Sequence, residues 1–479
     1  MEKTLHTFDE AVRRLHDRIN LERLQSFAPQ DMEGRLDLLR QVLTSLGNPE
    51  IAYRTVHVTG TKGKGSTCVM LESILLESGY RVGRFTSPHL YSFTERLMID
   101  GIACPLDEFT ELFFSVYEQI EPDTLQSFTY FELLTLLAFV YFARKKVDVA
   151  IFEVGLGGRL DATNVCQPDV SVITSISYDH TAQLGPTLSD IAAEKSGIIK
   201  PGVPVVTTVR HPESLTVIRK KAQSLGSRLF VFDEHFFVRK KIMLAPGVID
   251  ITPLQGEKCQ FNGVEQYAFR YDARLPDFPV ELSLDDISPK MPGTHQIVNA
   301  SAAISTFLLL HRDEKTFDAE TIRFGIQNAF MPLRFEIIAG EGLPTFIFDG
   351  AHNRASMQVF VQTALAMFPS RRLLLIFGAS LGKDVEGMFA EIDGHFAHIF
   401  LTQSSDSNRR FPPQELRSIC ALPDANVSTV ENCIDACERS VQAAKKEDVI
   451  CITGSLYLAA ELRKRIVSFP TSPRKSGGR

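Results

Sequence analysis

The stretch Val56-His57-Val58-Thr59-Gly60-Thr61-Lys62-Gly63-Lys64-Gly65-Ser66-Thr67 decides how the rest of the chain is read. Before it, Tyr53 to Val58 alternate and are rich in β-branched types, which predicts a short strand. After it, Val69, Met70, Ser73, Ile74 and Leu76 recur at helical spacing. A strand, a glycine-rich turn and a helix form the setting in which such a loop holds phosphate. Glycine lets backbone N–H groups turn inward, and the helix start adds partial positive charge. Lys64 then places an ammonium on the terminal phosphates, and Ser66 or Thr67 offers a hydroxyl to phosphate or magnesium. The strict P-loop pattern fails, because its first glycine falls on Val58 and Gly65 follows Lys64. A glycine turn of purely structural use is the competing reading.

Working outward, Arg81 to Thr86 is a second strand, ending in the turn Ser87-Pro88-His89-Leu90. Stretches 107–121 and 129–145 read as helices. Asp148 to Val154 is a continuous apolar run, as in a central parallel strand. It leads into Gly155-Leu156-Gly157-Gly158-Arg159-Leu160-Asp161-Ala162-Thr163-Asn164. Asp169 to Ser175 is a further buried strand and leads to Asp179-His180. A helix at 188–198 and a strand at 203–209 follow. Alternating strands and helices predict an α/β fold with a doubly wound parallel sheet. Ligands then sit beyond the carboxyl ends of the strands, where all these polar and glycine-rich segments fall.

The remainder is predicted as follows. Residues 1–50 are helical, broken near Ala28-Pro29. Residues 230–290 form a β-hairpin insertion with no assigned role. A helix spans 294–311, and a linker lies at 312–332. A smaller Rossmann-like domain follows, with strands at 334–338, 344–349, 372–377, 397–402 and 448–453 and helices at 352–367, 384–392, 431–445 and 455–466. The domains are 1–315 and 316–466, with a disordered tail at 467–479.

Bulk properties narrow the function. The 479 residues exceed one ordinary domain, and 44% apolar with 23% charged content is ordinary for a globular protein. A net charge of −7 argues against a nucleic-acid binder. Eight cysteines without a CxxC pair argue against zinc and disulfides. The start has no signal-peptide core, and no stretch reaches the length of a membrane span. A cytoplasmic protein, monomeric and without membrane partners, is expected.

Glu153 ends a buried strand, where a carboxylate either binds a cation or pairs with a base. Beside a phosphate loop, magnesium becomes the sharper reading. His180 is a second candidate metal ligand, although Mg²⁺ prefers oxygen, and Ser87 is a third. Lys195, in Glu194-Lys195-Ser196-Gly197, reads on composition as a solvated lysine at a helix end. Asp349, in Asp349-Gly350-Ala351-His352-Asn353, is either a helix cap or a nucleotide or catalytic contact. Arg334 could reach a phosphate.

Together these segments resemble the Mur ligase superfamily, and within it the bifunctional folylpolyglutamate synthase/dihydrofolate synthase family. The likeness rests on the loop, on Ser87-Pro88-His89-Leu90 with Glu95-Arg96, on Thr129-Tyr130-Phe131-Glu132, and on Glu153 through Asn164. It extends to Asp179-His180, Glu194 through Ile198, His295-Gln296 with Asn299, Arg334-Phe335-Glu336 and Asp349 through Asn353. The resemblance implies a ligase in which ATP phosphorylates a carboxylate and the amine of L-glutamate attacks the acyl phosphate. The acid is dihydropteroate or the glutamate tail of a folate. A Mur-type ligase for a cell-wall nucleotide precursor and a non-catalytic nucleotide-regulated binding protein are the alternatives.

By the same resemblance, Thr61, Lys62, Gly63, Lys64, Gly65 and Ser66 hold the ATP phosphates. Ser87, Glu153 and His180 bind Mg²⁺, with K⁺ a further candidate cation. Lys195 is carboxylated. Asn299, Arg334 and Asp349 contact the nucleotide, and His352 is an active-site residue. Thr129, Tyr130, Phe131 and Glu132 contact the pterin substrate together with Leu160, Asp161 and Ala162. Lys64, Lys195 and His352 are the catalytic candidates. Three departures stand out: Lys62 in place of the usual Asn, Leu333 in place of a glycine, and Arg354 in place of a proline. Lys62 is expected to put an extra cation beside the phosphates.

Overall fold

A computed structural model of the chain describes residues 7–18, 34–251, 259–274, 282–312, 318–340, 343–405, 410–421, 423 and 426–467. The break expected near Ala28-Pro29 and the tail expected as disordered lie outside these residues. The chain forms two compact units. The first holds 1–241, 269–289 and 295–329; the second holds 242–268, 290–294 and 330–479.

The first unit is built on eight strands: β1 (Arg54–Thr59), β2 (Val82–Phe85), β3 (Leu97–Ile99), β4 (Ile102–Ala103), β5 (Val149–Glu153), β6 (Val170–Ile173), β7 (Val205–Thr207) and β8 (Leu229–Val231). Their order is β4-β3-β2-β5-β1-β6-β7-β8. Strands β2, β5, β1, β6, β7 and β8 run parallel, and β3 and β4 add an antiparallel edge. β1 is buried along almost its whole length, as a strand covered on both faces must be. That explains why β5 reads as an unbroken apolar run rather than an alternating one.

Register fixes what meets at the edge. Val58 is paired with Glu153, and Thr59 with Ile173. Phe85 is paired with Phe152, so Ser87 lies just beyond β2. Glu153 therefore ends the strand between the Ser87 turn and the glycine loop. Phe85, Phe139, Phe142 and Phe152 pack behind this edge, with the Phe139 and Phe152 ring centres 4.4 Å apart. Each such buried side chain contributes about 1.5–3 kcal/mol.

The linker expected at 312–332 contains a helix, Ala319–Asn328. It packs on the helix Lys64–Glu77 so closely that a Cβ on Gly325 would lie 2.5 Å from the Ile74 Cα. Within 230–290, strands β9 (Phe236–Ile251), β10 (Cys259–Ala273) and β11 (Leu282–Ile287) form a three-stranded sheet.

The second unit carries a six-stranded sheet of β12 (Glu336–Ile338), β13 (Thr345–Phe348), β14 (Leu373–Phe377), β15 (His398–Gln403), β16 (Val427–Asn432) and β17 (Val449–Thr453). Its order is β12-β13-β17-β14-β15-β16, parallel except for β12. The strand expected from 334 begins only at Glu336. Leu333 and Phe335 have φ of 59° and 50°, a left-handed backbone that no strand can hold. Arg463 closes this corner through a buried 2.7 Å ion pair to Glu336.

Candidate active site

The glycine loop leaves β1 at Thr59 and enters the helix Lys64–Glu77. Gly63 precedes that helix with φ of 88° and supplies no side-chain cap, so the leading N–H groups have no such cover. An anion is the natural partner of that end. Glycine is required at two loop positions. A Cβ on Gly60 would lie 1.9 Å from the Thr174 hydroxyl oxygen, and one on Gly63 would lie 2.4 Å from the Asn299 amide oxygen. Asn299 is itself held by donating to the Gln296 side chain at 2.9 Å.

The segment after β6 clamps the loop from the other side. The Thr61 N–H donates to the Ser175 carbonyl at 2.6 Å, and the Lys62 N–H donates to the Ser175 hydroxyl at 3.0 Å. The Thr174 and Ser175 hydroxyls donate to the Lys62 carbonyl at 2.7 and 3.0 Å. Sequence reading did not single out Thr174, Ser175 and Ser177. The polar run that directly follows a buried strand was the available signal.

Thr61, Lys64, Lys195, Asp179 and His180 line one cavity with Thr59, Gly60, Leu184 and the segment Val154 to Gly157. Lys195, expected on composition to face water, is only 4% exposed. Its Nζ donates to the Gly60 carbonyl at 3.0 Å, and Lys64 Nζ reaches the same oxygen at 3.1 Å. Burial, with the neighbouring Lys64 ammonium, brings the Lys195 amine down to about 7.

Glu153 is buried, and its Oε2 accepts the Ser87 N–H at 3.1 Å, which draws the Ser87 turn onto the carboxylate. His180 lies beyond β6, at the start of the short helix Thr181–Leu184, with φ of 51°. Lys62, expected from sequence to put an extra cation beside the phosphates, pairs through its Nζ with Asp179 Oδ2 at 2.9 Å.

The candidate pterin contacts are held nearby. Asp161, between Leu160 and Ala162, accepts the Leu156 N–H at 2.9 Å and the Thr163 N–H at 3.0 Å, which closes the glycine-rich loop that precedes it. The Thr163 hydroxyl in turn contacts the buried His57 ring at 2.8 Å. Burial drives His57 down to about 3. Thr129 and Glu132 form a capping box at the start of the helix Tyr130–Arg144, and Glu132 also pairs with Arg35. Those two side chains are thus committed to holding the segment. Tyr130 lies under the Arg96 guanidinium. The Phe131 ring is 2.7 Å from where a Gly155 Cβ would sit.

In the second unit, Asp349 follows β13. The cap of the helix Arg354–Met367 is Asn353, so Asp349 is no helix cap. Its two oxygens accept the Phe335 and Ala351 N–H groups, each at 2.8 Å. Burial raises its carboxyl to about 6, opposed by Arg334. His352 Nδ1 lies 2.8 Å from the Gly350 carbonyl. Arg354 points to a surface ion pair with Glu391.

The Mur ligase middle domain model matches residues 58–307, and the Mur ligase glutamate ligase domain model matches 333–456. Both units thus carry the parts of a Mur-type, ATP-dependent glutamate ligase. A dihydrofolate synthase/folylpolyglutamate synthase of Bacillus subtilis is 34% identical over 90% of this chain and 94% of its own length. The crystal structure of the Thermotoga maritima folylpolyglutamate synthase is 29% identical with a TM-score of 0.77, covering 97% of this chain and 98% of that one. That of Mycobacterium tuberculosis, complexed with ADP and AMPPCP, is 26% identical with a TM-score of 0.79, again over 97% and 98%. The chain belongs to the folylpolyglutamate synthase/dihydrofolate synthase family of Mur ligases. Among the described residues no helix is long and apolar enough to cross a membrane.

Proposed function

We propose that this ligase joins L-glutamate both to dihydropteroate and to the glutamate tail of a folate, using ATP. The acid's carboxylate oxygen attacks the γ-phosphorus, and ADP leaves. The glutamate amine then attacks the acyl carbon, inorganic phosphate leaves, and the amine's proton is released. A carboxylate is a poor electrophile at neutral pH, so the phosphoryl group is what makes its oxygen depart.

One observation carries this reading. Lys64 and Lys195 converge on the mouth of an uncapped, glycine-led helix whose strand lies directly beside the one ending in Glu153. Lys64 and the open helix start offer preorganised positive charge to phosphates at this sheet edge, with Lys195 buried beside them. Names shared by relatives of Bacillus subtilis and Escherichia coli, each a dihydrofolate synthase/folylpolyglutamate synthase, favour both activities in one chain.

The chemistry of the donors supports Mg²⁺. The Glu153 carboxylate ends its strand beside the Ser87 turn, and a cation of this kind takes one or two protein oxygens and fills its other positions with phosphate and water. Ser87, Glu153 and His180 would hold it, and it would neutralise phosphate charge. K⁺ is a further candidate. An amine that deprotonates near 7 can bond to the carbon of CO₂ and release a proton, so Lys195 is set to carry a carbamate. Roles for Asn299, Arg334, Asp349 and His352 in nucleotide binding and chemistry complete the proposal.

The test is ADP release measured with glutamate plus dihydropteroate, a tetrahydrofolate or a cell-wall nucleotide precursor, with and without Mg²⁺ and K⁺. Turnover with the first two acids is expected. Turnover with the cell-wall precursor alone, or with no need for glutamate, would reject the reading.

A further inference from the structure

Lys62 sits inside the glycine loop, and both its backbone and its ammonium bond to the segment after β6. Its N–H and carbonyl bond to Thr174 and Ser175, and its ammonium pairs with Asp179 Oδ2 at 2.9 Å. The other Asp179 oxygen, Oδ1, accepts the His180 N–H at 3.1 Å. His180 holds φ of 51°, a backbone that non-glycine residues rarely adopt, and its half-exposed ring keeps Nε2 3.8 Å from Asp179 Oδ1. One carboxylate thus joins the loop lysine to the backbone that aims the imidazole.

We propose that Lys62 is a positioning residue that acts through Asp179 to hold His180 in its metal-binding orientation, and that it is not a phosphate contact. This rests on the ligase reading, in which His180 faces Mg²⁺. Without the ammonium, Asp179 loses an ion pair that helps fix its carboxylate, and the bond from that carboxylate to the His180 N–H is held less firmly. The pair is partly exposed, with side-chain exposures of 36% and 18%, so its effect is modest.

The experiment is calorimetric, on the full chain. ADP is titrated in EDTA, and Mg²⁺ is then titrated at saturating ADP, for the wild type, Lys62→Met, Lys62→Arg, His180→Ala and the double variant Lys62→Met/His180→Ala. Lys62→Met is expected to raise the half-saturating Mg²⁺ concentration about three- to fivefold, as a partly exposed ion pair allows. ADP affinity in EDTA stays at the wild-type value, and Lys62→Arg restores Mg²⁺ binding. In the His180→Ala background, Lys62→Met adds nothing. A loss of ADP affinity in EDTA with Mg²⁺ binding unchanged would make Lys62 a phosphate contact and overturn the proposal. A Lys62→Met effect that persists in full without His180 would also overturn it, since the action would not pass through the imidazole. If the wild type itself binds ADP with no linkage to Mg²⁺, the ligase reading fails first, and with it this inference.

Discussion

Lys64 and Lys195 donate to a single acceptor, the Gly60 carbonyl, from 3.1 and 3.0 Å. Two ammonium groups on one oxygen repel each other, and burial of Lys195 adds to the cost. The unfolded amine keeps its proton up to about 10.5, whereas the folded one releases it near 7. Between those values the unfolded chain binds more protons, so this group's contribution to stability rises with pH from about 7 to 10.5. In CO₂-free buffer, Lys195→Met is therefore expected to be about 1–3 kcal/mol more stable than the wild type at neutral pH. Denaturant melts at pH 7 and pH 10 check this, and the advantage should shrink at the higher pH. The carbamate is tested separately. Lys195→Ala should be weak and partly restored by short carboxylic acids, whereas full activity with no additive would exclude a role for the carbamate.

Lys64→Ala and Glu153→Ala are each expected to lower kcat by about 10²–10³ or more, the scale seen when one preorganised group facing developing charge is removed. Circular dichroism should remain native for Lys64→Ala. Glu153→Ala also frees the Ser87 N–H, so its melting temperature is measured alongside. Wild-type turnover in either variant would place the chemistry elsewhere.

Gly63→Ala should impair nucleotide binding more than stability. Its φ of 88° and the approach to Asn299 both oppose a methyl group, and both lie at the helix start proposed to hold phosphate. A tenfold or greater rise in the ADP dissociation constant, roughly 1.4 kcal/mol, is expected by calorimetry.

Asp349→Asn tests the second unit. The carboxylate accepts two N–H groups, and an amide can accept only on its oxygen, so one buried donor is left facing an NH₂ group. A loss of about 1–3 kcal/mol is expected in urea melts at pH 7. The wild-type pH dependence has a set sign. Because the folded carboxyl titrates near 6 instead of 3.8, its contribution is greatest below the lower value and falls as pH rises through about 6.

Leu333 sits at φ of 59° where relatives of its kind were expected to carry glycine, yet its side chain is fully buried. Glycine would relieve about 1–2 kcal/mol of backbone strain, whereas truncating a buried leucine costs about 2–5 kcal/mol. Burial wins, so Leu333→Gly should be destabilised on balance. A more stable variant would mean the side chain contributes little.

Much of this was legible from residue order alone, because parallel strands buried on both faces leave long apolar runs and their ends leave glycine and charge. β1, β5 and β6 and the segments that follow them were readable on that ground. The helix Ala319–Asn328 was not, since it is short and its apolar face answers to Ile74 in a distant helix. Strand β16 and the helix Pro413–Ile419 were also missed; both are short and largely exposed, so no run of core residues marks them. The direction of the Lys62 side chain was invisible for a different reason. Its partner, Asp179, lies 117 positions away, and a lysine among glycines next to a phosphate loop gives no hint that its charge is already matched.

The most direct measurement is a crystal structure with AMPPCP and Mn²⁺, in which the metal is located by anomalous scattering. The γ-phosphate is expected at the Gly63–Ser66 helix start, with manganese beside Glu153, Ser87 and His180. Nucleotide and metal bound away from Glu153 would contradict the proposed site.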